Sequence, residues 1–149
     1  MTKAVLTALS LLVLTSSVMA CTCIDPGLPT RVRQAPDVFV AKILSVKRSA
    51  RVVVPNGEVV RVLVVESWKG AQPGQRLDIA TGNGAGDCGY EFEDQLFRGD
   101  SLHLIFARPV PKRKATLTTD ICSGSRPLRQ ASADRDSLNQ WKALGRIPG

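Results

Sequence analysis

Histidine is almost missing from this chain: His103 is the single one among 149 residues. That scarcity leaves no histidine pair for a zinc-hydrolase helix, and neither a Gly-x-Ser-x-Gly elbow nor a His-Glu-x-x-His segment occurs. His103 itself lies in an alternating strand-like run, where a packed or solvent-facing role is commoner than catalysis. Aromatic residues are few as well, seven in all. Scattered as they are, they do not make the stacking platform that nucleic-acid binding needs. Internal repeats and low-complexity linkers are absent. Acidic residues are the minority charge, 13 against 20 Lys and Arg, for a formal net charge of +7. That balance favours anionic polysaccharides and other acidic surfaces as partners and says nothing about fold. The apolar run from Ala4 to Leu14 is too short and wrongly flanked for a permanent membrane span.

What that run does resemble is a secretory signal. Lys3 is a positive n-region, the apolar stretch follows, and Val18-Met19-Ala20 is a small-residue cleavage site. Residues 1–20 therefore read as a signal peptide, and 21–149 as one domain of a secreted, periplasmic or otherwise extracellular protein. Val18-Met19-Ala20-Cys21 also resembles a bacterial lipobox, with an atypical Met, so a lipid anchor on Cys21 is the competing expectation.

All four cysteines, Cys21, Cys23, Cys88 and Cys122, follow that site. An even number in an oxidising compartment reads as two disulfides. A Cys21–Cys23 ring would strain the bond geometry, which leaves two pairings, both tying the N-terminus to distant points. Loops of roughly 65 to 100 residues closed in this way stabilise by about 4 kcal/mol each on the chain-entropy account. Paired cysteines leave no thiolates for copper binding or redox exchange at the Cys-x-Cys, and a lipidated Cys21 would leave an odd cysteine.

The strand signals are plentiful. Residues 37–47 are rich in β-branched and apolar side chains. Arg51-Val52-Val53-Val54 and Val59 to Val65 flank Pro55-Asn56-Gly57-Glu58, a hairpin signal. Further strands are expected at Arg76 to Ala80 and Ser101 to Ala107, and beyond the basic turn Lys112-Arg113-Lys114 the stretch Ala115 to Ile121 leads into Cys122. The prolines and glycine between Cys21 and Pro36 predict an extended, irregular segment. Near the end, Ser132 as cap, Asp134 and Asp136 in the first turn, and Leu138, Trp141 and Leu144 at helical spacing predict a terminal α-helix stopped by Gly145. The expected fold is mainly β, a five- to six-stranded, partly open OB-type barrel with a C-terminal helix docked on it.

No enzyme emerges from the remaining candidates. Glu91, Glu93 and Asp94 form an acidic cluster that reads as solvated loop. Gly82-Asn83-Gly84-Ala85-Gly86-Asp87 lacks the lysine and helix of a phosphate loop. The chemistry sits at Cys21 instead. Once cleavage makes it the first residue, its α-amine and carbonyl oxygen can close a five-membered chelate on a metal ion, provided a disulfide holds the terminus still.

Four blocks carry a family resemblance: Cys21-Thr22-Cys23; Val38-Phe39-Val40-Ala41-Lys42; Cys88-Gly89-Tyr90; and Thr118-Thr119-Asp120-Ile121-Cys122-Ser123 with Leu128 beyond. Trp68-Lys69-Gly70 adds an aromatic-Lys-Gly turn. Together they resemble the inhibitory domain of the tissue inhibitors of metalloproteinases, within the netrin-like modules, over about residues 21–132. The resemblance implies the OB barrel and the pairs Cys21–Cys88 and Cys23–Cys122. It further implies that Cys21 binds the zinc of a target metalloendopeptidase, with no cofactor of the protein's own. Thr22 would enter the specificity pocket, Cys23, Ile24 and Asp25 would complete the wedge, and Gly86 and Asp87 would form its adjoining edge. The family's third disulfide has no counterpart here. Since netrin-like modules need not inhibit, a non-inhibitory module binding a protein or an anionic polysaccharide is the alternative. The expected state is a monomer.

Overall fold

The computed structural model describes residues 21–49, 57–82, 88–111, 113 and 116–149. The expected signal segment 1–20, the run Arg51–Val54, the expected turn residues Pro55 and Asn56, the expected wedge-edge residues Gly86 and Asp87, and Lys112 and Lys114 of the expected basic turn lie outside the described residues.

Among the described residues six strands follow in order: β1 (Asp37–Ser49), β2 (Gly57–Lys69), β3 (Arg76–Thr81), β4 (Leu102–Pro109), β5 (Thr116–Thr118) and the two-residue β6 (Arg126–Pro127). The sheet order is β1-β2-β3-β5-β4, and β4 also pairs with β1. That last pairing closes a five-stranded barrel. The β3–β5 pairing is parallel and the other pairings are antiparallel, an OB-type arrangement. Strand β6 adds to the outer edge of β4, with His103 opposite Pro127.

Period-two alternation decides what fills the barrel. Phe39, Ala41 and Ile43 of β1, Val60, Val62 and Val64 of β2, and Ile105 and Ala107 of β4 point inward. Their neighbours Val38, Val40, Leu104 and Phe106 point outward, yet they too are buried, under helices. Both faces of β1 and β4 are thus covered, which explains why these strands read as nearly continuous apolar runs.

One covering element is α1 (Leu28–Gln34), where an extended segment is expected from sequence. The punctuation that suggests irregularity instead bounds the helix. Pro29 sits in its first turn, where the missing N–H costs nothing and its φ is already helical, and Pro36 follows its end. Leu28, Val32 and Ala35 recur at helical spacing and pack on the barrel's outer face. A second short helix, α2 (Phe92–Phe97), replaces the expected acidic loop. Phe92 anchors it in the barrel core. The Phe92 N–H donates to the Tyr90 carbonyl at the helix start, and Glu93 and Asp94 pair with Arg48 and Arg98.

The terminal helix α3 (Ser132–Ala143) forms where the spacing predicts. Its cap differs: Ala131 occupies the N-cap position and Ser132 is already helical, with no side-chain capping bond. Ala131 is buried beside Leu138, so packing sets where the chain turns in and carries the Ser132 hydroxyl past the capping position. At the other end, Gly145 (φ 64°) and the bonds Arg146 N–H to Trp141 O and Gly145 N–H to Lys142 O form a Schellman stop. Leu138 is fully buried, whereas Leu144 is 56% exposed and belongs to the docking face only at its rim.

The Trp68-Lys69-Gly70 turn joins these layers. Trp68 Nε1 donates to Asn139 of α3, and Lys69 Nζ donates to the Val32 carbonyl of α1. Gly70 has φ 74°, and a Cβ there would come within 2.1 Å of an Asp37 carboxylate oxygen. Only glycine fits that position.

Candidate functional site

Two disulfides tie the first described residues to the barrel: Cys21 to Cys88 and Cys23 to Cys122, the pairs the family resemblance implies. They close separations of 67 and 99 residues, worth about 4 to 5 kcal/mol each on the chain-entropy account. Among the described residues no cysteine is free. Such bonds fit an oxidising, extracellular environment. Among the described residues no helix is long and apolar enough to cross a membrane.

The two anchor points are themselves neighbours. The Ile121 N–H donates to the Cys88 carbonyl at 3.0 Å, so three separate segments (21–25, 88 and 121–122) come together as one ridge. Thr22, Cys23, Ile24 and Asp25 are exposed along it, Ile24 at 88%, and Cys21 is half-buried. Ile24, held almost wholly in water, and Ile121, also exposed, are apolar surface left available for contact. Ile121, present in the Thr118–Ser123 block, is a ridge residue that the expected wedge leaves out. The signal for it is its place directly before Cys122, which a disulfide carries to the ridge along with its neighbour.

Local chemistry braces each anchor. Cys88 is in the left-handed region at φ 56°, the one described non-glycine residue there, a conformation costing about 1 kcal/mol. The next residue, Gly89, packs against Gly82 so closely that a Cβ would fall 2.0 Å from the Gly82 carbonyl carbon. The Tyr90 N–H donates to Thr81 Oγ1. Both ends of the glycine-rich segment are therefore pinned together, whatever lies between. Around Cys122, the hydroxyls of Thr119, Ser123 and Ser125 bond one another at 2.8 to 3.0 Å. Thr119 donates to the Phe106 carbonyl, and Ser125 accepts the Phe106 N–H. These side chains supply β4 with the partners a neighbouring strand would otherwise give, and so hold the Cys122 segment to the barrel wall.

A cleft of about 170 Å³ adjoins Cys122, bounded by Arg31, Gln34, Phe106, Arg108, Asp120 and Ser123 among others. Its cations are already matched. Arg108 pairs with Asp120 at 3.0 Å, and Arg31 with Asp25 and Asp134. No unbalanced charge is left there for a ligand.

His103 is fully buried, pointing into the barrel between Tyr90 and Phe92 in edge contacts with both rings. Burial pushes its pKa down to about 4 against a smaller opposing pull from Asp100, and burial pushes the Tyr90 hydroxyl well above its usual range. Among the described residues neither imidazole nitrogen nor the Tyr90 hydroxyl has a hydrogen-bond partner. A neutral imidazole sealed from solvent is a packing residue. The acidic cluster is likewise engaged structurally, in the ion pairs of α2 and Arg48. Among the described residues no three His, Cys, Asp or Glu side chains converge as metal ligands.

The structure thus brings Cys21, Thr22, Cys23, Ile24 and Asp25 onto one exposed, doubly anchored ridge with Ile121. Gly86 and Asp87 lie outside the described residues. Comparison with family models and with curated proteins finds no match, and the family resemblance rests on its residue blocks.

Proposed function

We propose that this protein is a secreted inhibitor of zinc metalloendopeptidases, acting through the α-amine and carbonyl oxygen of Cys21 after cleavage behind Ala20. It is not itself an enzyme and carries no cofactor of its own. The zinc belongs to the target, which keeps one coordination position open for the attacking water. The amine nitrogen and carbonyl oxygen of Cys21 take that position, Thr22 enters the adjoining pocket, and Cys23, Ile24 and Asp25 complete the wedge.

The single observation that carries this reading is an exposed ridge cross-linked at Cys21 and Cys23 to Cys88 and Cys122, whose segments are joined by the Ile121 N–H bond to the Cys88 carbonyl. A ridge so fixed loses little conformational freedom on docking. An α-amine with pKa near 8 costs only about 1 kcal/mol to deprotonate at pH 7.

The test compares mature protein beginning at Cys21 with a version carrying one extra N-terminal Ala, each titrated against a panel of zinc endopeptidases. Inhibition by the first and not the second is expected. Equal behaviour of the two would sink the chelation mechanism. Salt-sensitive binding to polyanions without inhibition would instead identify a non-inhibitory netrin-like module. The intact mass of the native protein settles whether Cys21 is bare or lipid-modified, and a lipid adduct would rule out chelation.

A further inference from the structure

We infer that Arg31 is a positioning residue for the wedge, and that Asp25 is the wedge's third anchor after its two disulfides. This rests on the inhibitory reading of the ridge only for its consequence on inhibition. The anchoring itself is a property of the free protein.

The two disulfides fix residues 21 and 23. Beyond Cys23 the chain has no covalent hold, and Ile24, Asp25 and Pro26 are all exposed. The next fixed point is α1, whose Arg31 has its side chain 6% exposed. The Arg31 guanidinium stacks over the Phe106 ring, 5.4 Å from its centroid. Gly124 gives it room: a Cβ there would come within 2.4 Å of Arg31 Cδ. From this slot Nη2 reaches Asp134 of α3 at 3.3 Å, and Nε, which makes no hydrogen bond among the described residues, forms an ion pair with Asp25 Oδ1 at 3.5 Å.

Charge balance explains why Asp25 is drawn in. Asp134 is shared, because Arg126 also pairs with it through Nη2. Two guanidinium groups around one carboxylate leave an uncompensated positive charge in a place where water is largely excluded, and burying such a charge is costly. Asp25 supplies the second carboxylate. Its own side chain is 72% exposed, so it gives up little hydration in doing so. Asp25 has a second duty: its Oδ1 accepts the Gly27 N–H at 2.8 Å, closing the turn into α1. One carboxylate therefore joins the end of the wedge both to the start of α1 and to a buried cation that touches the terminal helix.

The two duties separate cleanly by substitution. Asp25→Asn keeps an oxygen for the Gly27 N–H and removes the charge, while Asp25→Ala removes both. In the free mature protein, ¹⁵N order parameters of the Ile24, Asp25 and Gly27 amides in Asp25→Asn should fall from about 0.85 towards 0.6. Those of β1 and β2 should stay unchanged, while the thermal midpoint should fall, because the Arg31 charge then lacks its second carboxylate. The parent's values for the same amides should drop as salt rises, and those of Asp25→Asn should not. If an inhibited protease is found, its complex with Asp25→Asn should dissociate about threefold faster. Identical order parameters and salt response in parent and Asp25→Asn would overturn the inference, and the chelation mechanism would stand or fall on the terminal extension alone. Conversely, loosened amides in a protein that inhibits nothing would leave the anchoring in place and remove the inhibitory reading.

Discussion

Ile121 donates its backbone N–H to the carbonyl of Cys88 at 3.0 Å, so the residue beside one half-cystine is bonded directly to the other. This contact turns two separate staples into one base under the terminal ridge.

Replacing Ile121 with Pro should remove that bond while leaving both disulfides able to form. Ile121 begins a short 3-10 turn, where the fixed φ of proline is compatible. The expected cost is about 1 kcal/mol, that of a single backbone hydrogen bond, read as a lower urea midpoint at unchanged slope. An unchanged midpoint would mean that the disulfides alone hold the ridge together.

His103 should make the protein acid-sensitive. Its pKa is 6.5 in an ordinary setting and about 4 in the barrel, so on acidification the unfolded chain takes up the proton first. The stability tied to the neutral imidazole is complete above pH 6.5 and drains away as pH falls towards 4, by about 3 kcal/mol. Asp37 and Glu58 work in the opposite sense, because burial raises their carboxyl pKa values. The clean measurement is therefore the difference between parent and His103→Phe. The variant should also lose the penalty of two unpartnered nitrogens and be at least as stable at pH 7. A stability-against-pH difference that stays flat between 6.5 and 4 would show that the imidazole is not sealed.

The terminal helix should respond unequally along its stripe. Leu138→Ala is expected to cost about 3 kcal/mol, as for a fully buried leucine. Leu144→Ala should change stability by no more than about 0.5 kcal/mol, since most of its side chain is in water. Chemical denaturation of both variants checks this, and similar losses would mean that the helix end is packed more deeply than its exposure indicates.

Much of the barrel was legible in the sequence because strand alternation is local. The Val59–Val65 run, the strand over 101–107 and the terminal helix all announce themselves by period. Helix α1 was hidden because its prolines and glycine dominate a local reading, although Leu28, Val32 and Ala35 carry the helical spacing. Ser132 as a cap failed for a related reason: the burial of Ala131, a tertiary contact, moves the helix start. The ridge residues Cys21, Thr22 and Cys23 stand out in the sequence through the Cys-x-Cys. Ile121 and Arg31 do not, because each acts across a gap in sequence that only folding closes.

Sequence alone settled what is chemically present: four cysteines, one histidine, excess positive charge, and strands of period two. These are properties of composition and near neighbours, and they need no fold to be read. Tertiary structure decided where they act. It closed the barrel through the β1–β4 pairing, sealed His103 inside it, and set Cys88 beside Ile121. It also surrounded Arg31 with carboxylates from two ends of the chain. Those relations depend on burial and on contacts between distant residues, where the cost of stranding a charge or a polar group in a dry interior outweighs local preference.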